Sequence, residues 1–341
     1  MEQWQKLLGE FPENDIYSSL EYFVVSNLLE KGEITLFYMR NENGHVFYPF
    51  IKKEIPIQQN SFGNLYDITT PYGYGGPLIK VIDNRELLLE EFQNQFNNFC
   101  MNEGIVSEFI RFHTLIANHQ QNRKDVQLDL IRETIYIDLE KISLMGLQAI
   151  PSKARNMVRK AEKNGVIIKK LDKREYIEDF IGLYNSTMNR NEASEYYYFT
   201  KEYYNNLIEK LEERLDLWGA FYDSQMISAT LIMKQNQFIH YHLSGANTAY
   251  MGLGTNNLLL FEIAKSYAQL NYKYFHLGGG ARDINDNLYK FKKSLSNEEP
   301  LPFYIGKKIH DLNSYNELAK QNKSTNERYF PIYRGYMNEK K

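Results

Sequence analysis

The chain predicts an α/β fold of two related units in tandem, each a mixed, mostly antiparallel sheet flanked by helices. Three observations carry this reading. At 341 residues the chain exceeds what one ordinary hydrophobic core supports. Its second half alternates strand-like and helix-like apolar spacing in a distinctive order, and its first half repeats that order more faintly. With 43% apolar and 24% charged residues, the composition is that of a globular protein.

In the first half a helix is expected over 18–29, then strands at 35–39 and 46–51 joined by a turn from Asn41 to Gly44. A glycine- and proline-rich loop, 71–77, precedes a helix over 85–102. On that helix Phe92, Phe96, Phe99 and Cys100 share one face, so the single cysteine is expected in the core rather than as a nucleophile. Strands at 107–111 and 134–139 complete the half. A first domain over 1–140 and a second over 141–306 follow, with 307–341 expected to pack back on the first.

The second half opens with a strand at 166–170 and helices at 176–188 and 201–215. Three strand-like runs follow at 217–222, 226–233 and 238–243, close enough together to form an antiparallel meander. A loop with Gly252 and Gly254 leads into a helix over 256–270. A strand at 273–277 then runs into Gly278, Gly279 and Gly280, and a last helix carries Lys290, Lys292 and Lys293. Among the 27 tyrosines, the run 196–198 with Phe199, Tyr203 and Tyr204 is expected to seal a core edge; stacking on a sugar or base is the alternative.

Forty basic against 43 acidic residues leave a net charge of −3, so no global field favours nucleic acid, and DNA is not an expected partner. One segment departs from this balance. Residues 151–174 hold nine basic and only two acidic side chains, and Arg155 and Arg159 are helical neighbours, which points to an anionic ligand. No apolar run follows a basic start and none is long enough to span a bilayer, so the reading is cytoplasmic, with peripheral membrane contact left open.

The triple glycine beside three lysines suggests main chain exposed to a ligand next to fixed positive charge. A plain turn before a solvated basic helix is the alternative. His240 and His242 lie on one face of a strand and His276 on another, but no acidic residue has ligand spacing, and no metal is expected. Ser244 lacks a nucleophile-elbow pattern.

Taken together, RNMVRKAEKNG at 155–165, YNSTMNR at 184–190, HLSGA at 242–246, the triple glycine and the Phe291–Lys292–Lys293 run resemble the GNAT superfamily of N-acetyltransferases. Over nearly its full length the chain is similar to the tandem branch of that superfamily, the FemABX family of aminoacyl-tRNA-dependent peptidyltransferases. The resemblance implies two GNAT-like domains and transfer of an acyl or aminoacyl group to an amine, with acyl-CoA or aminoacyl-tRNA as donor. It assigns the reaction to Phe291 and Lys292, and acceptor phosphates to Arg190, with Arg155 as a further phosphate contact. Gly278, Gly279, Gly280 and Tyr74 become candidates for the acceptor side. Gly252, Gly254, Thr255 and Asn256 correspond to the loop whose amides hold the donor's phosphates, although Ala249 stands where that motif begins with glutamine or arginine. His242, His276 and Asp283 are the candidate general bases. The first helix lacks the tryptophan and lysine of members acting on cell-wall precursors, and Gly75–Gly76–Pro77 replaces their arginine-glycine-proline. A nucleotide- or lipid-linked amino sugar is therefore as good an acceptor as a peptidoglycan peptide. The competing expectation is a non-catalytic adaptor of the same fold that binds glycan or RNA.

Overall fold

A computed structural model describes residues 2–56, 64–121, 123–280, 286–321 and 329–339. The chain divides into two compact units: residues up to Ile131 together with those from Phe303 onward, and Arg132–Pro302. The sequence had set the boundary near residue 140.

The first unit begins with α1 (Glu2–Leu8) and α2 (Leu20–Glu30), the latter capped by Ser19, whose side chain accepts from Tyr22 N. Strands β1 (Glu33–Asn41) and β2 (Gly44–Glu54) form the expected hairpin. Two short strands that the periodicity did not reveal follow, β3 (Tyr66–Thr69) and β4 (Leu78–Val81), both pairing with β2. Helix α3 (Arg85–Asn102) has the expected limits, set at its start by Asn84, whose side-chain Oδ1 accepts from Glu86 N and Leu87 N. Leu88, Phe92, Phe96 and Cys100 form its buried face against β2 and β5 (Ile105–Arg111). Each buried phenylalanine contributes about 1.5–3 kcal/mol on transfer from water. Burial also pushes the Cys100 thiol far above its ordinary range, so it is an inert core residue.

Strand β6 (Gln127–Asp138) leads into the second unit, starting well before the expected residue 134. Helices α4 (Leu139–Met145) and α5 (Ser152–Lys163) come next, and α5 is strongly amphipathic: Ala154, Val158 and Ala161 are buried while Lys153, Arg159, Lys160 and Lys163 face solvent. Strand β7 (Ile167–Leu171) is followed by α6 (Lys173–Arg190) and α7 (Lys201–Leu211). The meander is then β8 (Leu215–Tyr222), β9 (Gln225–Gln235) and β10 (Phe238–Ala246). Helix α8 (Thr255–Ala268) is apolar on nearly all sides because it is the centre of the core, packed by α4 and α5. Strand β11 (Tyr274–Gly278) lies parallel to β10 and antiparallel to β6, and α9 (Asn287–Lys293) closes the unit. The sheet order is β6-β11-β10-β9-β8-β7, so its centre is where a parallel strand is inserted into an antiparallel meander.

The aromatic run behaves in two ways. Phe199, Tyr203 and Tyr204 are buried as expected, with the Phe199 and Tyr203 rings stacked at 4.4 Å. Tyr196, Tyr197 and Tyr198 are instead exposed, on a 3-10 turn where helical spacing does not apply.

The chain then returns to the first unit through β12 (Leu301–Ile309), which pairs antiparallel with β5, and through α10 (Leu312–Gln321) and α11 (Ile332–Glu339). There Tyr333 is buried against Ser107, its hydroxyl 2.7 Å from the serine oxygen, and Arg334 Nε donates to Asp67 at 2.8 Å. No helix among the described residues is long and apolar enough to cross a membrane.

Candidate active site

The second unit contains a cleft of about 660 Å³, and every residue lining it belongs to that unit. Its walls are the end of α6, the far ends of β9 and β10, the first turn of α8 and the start of α9. Arg190 and Asp286 are the charged side chains that line it; the rest of the surface mixes amides and hydroxyls with Met188, Tyr241 and Phe291.

One end is a helix N-terminus. Gly254 caps α8 with φ of +82° and offers no side chain to the free amides of the first turn. A Cβ on Gly254 would lie 2.4 Å from Met157 O, so only glycine lets α5 approach this closely. The cationic helix α5 therefore abuts the amide end of α8. Thr255 is only 5% exposed and its Oγ1 has no hydrogen-bond partner, though it lines the cleft. Such a hydroxyl costs about 1–3 kcal/mol unless something bonds it. Asn256 is held by Ser228, whose Oγ lies 2.7 Å from Asn256 Oδ1. An uncapped, positively polarised helix end with a waiting hydroxyl is suited to a phosphate.

Behind the cleft-lining ring of Tyr241 sits Lys292, which is not itself a lining residue. It is 6% exposed, Nζ donates to Gly279 O at 2.7 Å, and the ammonium lies 5.6 Å from the centre of the Tyr241 ring. Burial lowers its pKa to about 7; the Asp286 charge opposes this, and the Arg132 charge adds a smaller effect in the same direction as burial. Tyr241 also donates to Ser244 Oγ at 2.5 Å. Simple alternation would separate these two side chains; a bulge between Tyr241 and Leu243, with His242 as the extra residue, brings them to the same face.

The triple glycine has a different role from a phosphate cradle. Two of its carbonyls are engaged: Gly279 O accepts from Lys292 and Gly280 O from Arg132 Nη1 at 3.0 Å. A Cβ at Gly279 would lie 2.8 Å from Glu133 O and one at Gly280 2.4 Å from the Asp286 carboxylate. The glycines permit close packing beneath Lys292 and are not among the cleft's lining residues.

Other candidates are scattered. Arg190 is exposed at the end of α6 and lines the cleft, with Nη1 3.5 Å from Ala246 O. Arg155 is half-buried and donates to Ile150 O at 2.9 Å, away from the lining residues. Gly252 is not a lining residue, whereas Gly254, Thr255, Asn256 and Phe291 are. His242 does not line the cleft; its Nε2 lies 3.2 Å from the Tyr203 hydroxyl on α7, and burial followed by the nearby His240 lowers its pKa to about 3. His276 is buried, its ring 5.5 Å from that of His240. Tyr74 belongs to the first unit, packed edge-on to Tyr17, His113 and Phe303. Asp283 lies outside the described residues. Sequence reading missed Tyr241, Ser244, Asp286 and Arg132. Asp286 had a detectable signal, an aspartate three residues before Tyr289, whose amide it caps at 2.7 Å.

Residues 152–293 match the family described as acetyltransferase (GNAT) domain. The match covers α5 to α9 and so takes in the whole cleft, and the chain is an acyltransferase of the GNAT fold. Over its length the structure is similar to that of FemX, with TM-score 0.68 and 14% identity over 93% of this chain and 97% of that one. It is also similar to L-PGS from Bacillus licheniformis, with TM-score 0.56 and 14% identity over 99% and 96%. No curated protein matches the sequence. The architecture is thus FemABX-like, as the sequence motifs implied.

Proposed function

We propose that this protein transfers an acyl or aminoacyl group, from acyl-CoA or aminoacyl-tRNA, to an amine of a cell-envelope precursor. The acceptor class is a nucleotide- or lipid-linked amino sugar or a peptidoglycan peptide. The observation that carries the reading is an uncapped α8 N-terminus at the cleft together with the buried Lys292 ammonium, which lies against the cleft-lining ring of Tyr241. Donor phosphates fit the first, and the reacting carbonyl fits the second. When the amine attacks, a C–N bond forms, the carbonyl oxygen takes up negative charge, and the C–O or C–S bond to the donor then breaks, with the amine's proton ending on the departing oxygen or sulfur. A fixed ammonium favours that charge more than it favours the uncharged ground state. Arg190 at the cleft wall supports binding of an acceptor phosphate, and a planar guanidinium suits a diphosphate. The exposed cations of α5 beside Gly254 support an extended polyanionic donor.

The test is Lys292→Met assayed with acyl-CoA and with aminoacyl-tRNA as separate donors. Loss of transfer by about 10²–10³-fold is expected, the usual cost of removing one oxyanion-stabilising group. An unchanged rate would sink the assignment. Thermal stabilisation of the wild type by one donor and not the other identifies the donor, since a ligand that binds the native state raises its stability.

A further inference from the structure

Lys292 and Arg132 reach the triple-glycine segment from different elements, α9 and β6, and take successive carbonyls of it. Lys292 Nζ donates to Gly279 O at 2.7 Å and Arg132 Nη1 to Gly280 O at 3.0 Å. Two cations are therefore held on neighbouring peptide groups. Carbonyl oxygens anchor them, which fixes their positions without cancelling either charge as a carboxylate would. Arg132 is half-buried, and its Nε is buried with no hydrogen-bond partner, so the guanidinium is held for something other than full satisfaction of its donors.

We propose that Arg132 is a positioning residue for the transfer reaction: by gripping the carbonyl next to the one Lys292 uses, it fixes a second cation beside the reacting site and sets the pH at which that site works. The inference rests on the reading of Lys292 as the oxyanion-stabilising group.

The other charged and titratable groups facing Lys292 do not replace this role. On α9, Asp286 caps the helix through Tyr289 N at 2.7 Å and packs against Gly280, opposing the effect of Arg132. Glu133 on β6 accepts a hydrogen bond from the Tyr289 hydroxyl and is thereby committed to α9. From β10, Tyr241 presents its ring to the ammonium while its hydroxyl is engaged by Ser244. Among the described residues Arg132 is the remaining cation at this site. Burial is the main cause of a pKa of about 7 and Asp286 opposes it; Arg132, a like charge, disfavours the protonated lysine in the same direction as burial. The consequence for catalysis has a definite sign. Transfer that needs the ammonium is lost as pH rises through the lysine's pKa, so Arg132 limits the alkaline side of the profile and keeps the site poised near neutrality.

The experiment compares pH–rate profiles of wild type, Arg132→Gln and Arg132→Lys, alongside the ¹³Cε shift of Lys292 followed by NMR across pH. Gln keeps a donor for Gly280 O and removes the charge; Lys keeps the charge. Arg132→Gln should move both the alkaline limb and the Lys292 titration upward by about one pH unit, and Arg132→Lys should leave both near wild type. If Arg132→Gln lowers the rate with neither midpoint moved, or if Lys behaves as Gln does, the proposal is overturned. If the NMR midpoint moves while Lys292→Met retains full activity, the charge coupling holds and the reading of Lys292 as catalytic fails instead.

Discussion

The Glu108 cluster of the first unit and the cleft of the second treat buried charge in opposite ways. In the first unit ionisable groups are closed off in matched sets. Arg123 is fully buried, its Nη2 within 2.5 Å of both Glu108 oxygens, while Tyr48 and His310 bond the same carboxylate at 2.7 and 3.0 Å. His113 donates from Nε2 to Asp15 at 2.7 Å while its Nδ1 accepts from Ile116 N, so both ring nitrogens are committed. In the second unit Lys292 is held by a carbonyl and the Tyr241 ring, with no ion pair among the described residues, and the α8 N-terminus has no side-chain cap. A buried charge matched by a counter-charge serves stability; one held without a counter-ion is available to a substrate. The contrast supports the proposal that the second unit carries the chemistry.

The largest expected effect breaks the first side of that contrast. Arg123→Leu leaves the Glu108 carboxylate buried without its counter-ion and should cost about 3–5 kcal/mol in chemical denaturation. The double variant Glu108→Leu, Arg123→Leu should recover most of that loss. A single variant within 1 kcal/mol of wild type would mean the set is not the closed unit it resembles.

The next effect sharpens the contrast by pH. Burial alone would raise the Glu108 pKa, but Arg123 and then His310 outweigh it and bring it down to about 2 from an ordinary 4.5. That carboxylate's contribution is present above pH 4.5 and is lost as pH falls toward 2. Relative to the double variant, the wild type should therefore weaken across that acid window. Lys292 acts at the other end. Its folded pKa of about 7 lies below an ordinary 10.5, so between these values the unfolded chain holds a proton that the native state does not. Stability rises with pH there, and wild type should gain on Lys292→Met from pH 7 to 10.5. Parallel denaturation curves at all pH values would refute both signs.

The smallest effect concerns Thr255. Thr255→Val removes a buried hydroxyl that bonds nothing, so stability should stay level or rise by about 1 kcal/mol, while donor affinity falls roughly tenfold. Loss of stability with unchanged donor affinity would place this hydroxyl among the structural groups instead.

Much of the second unit was legible because its strands and helices are long enough to show their own period. The meander, α8 and the glycine-to-lysine stretch fall close to their expected places. Four-residue strands such as β3 and β4 carry too few alternations to be seen, and β12 is defined by pairing with β5, nearly 200 residues away in sequence. The site was legible where residue type alone constrains chemistry, as at Lys292 and Gly254. It was not legible where geometry shifts parity: the bulge at His242 turns that residue to Tyr203 and brings Tyr241 to Ser244. Nor does anything local mark Arg132, whose importance comes from a carbonyl 148 positions away.

The two glycines of the loop before α8 look equivalent as a motif, yet the structure separates them. Gly254 is wedged against Met157 O with a left-handed backbone, whereas a Cβ on Gly252 would meet nothing within 4 Å. In a saturation library selected for folding, position 254 should retain almost nothing but glycine, while position 252 fills with many residues. The spacing by which such loops are recognised is thus half architecture and half latitude, and divergence among relatives should accumulate at the second kind of position.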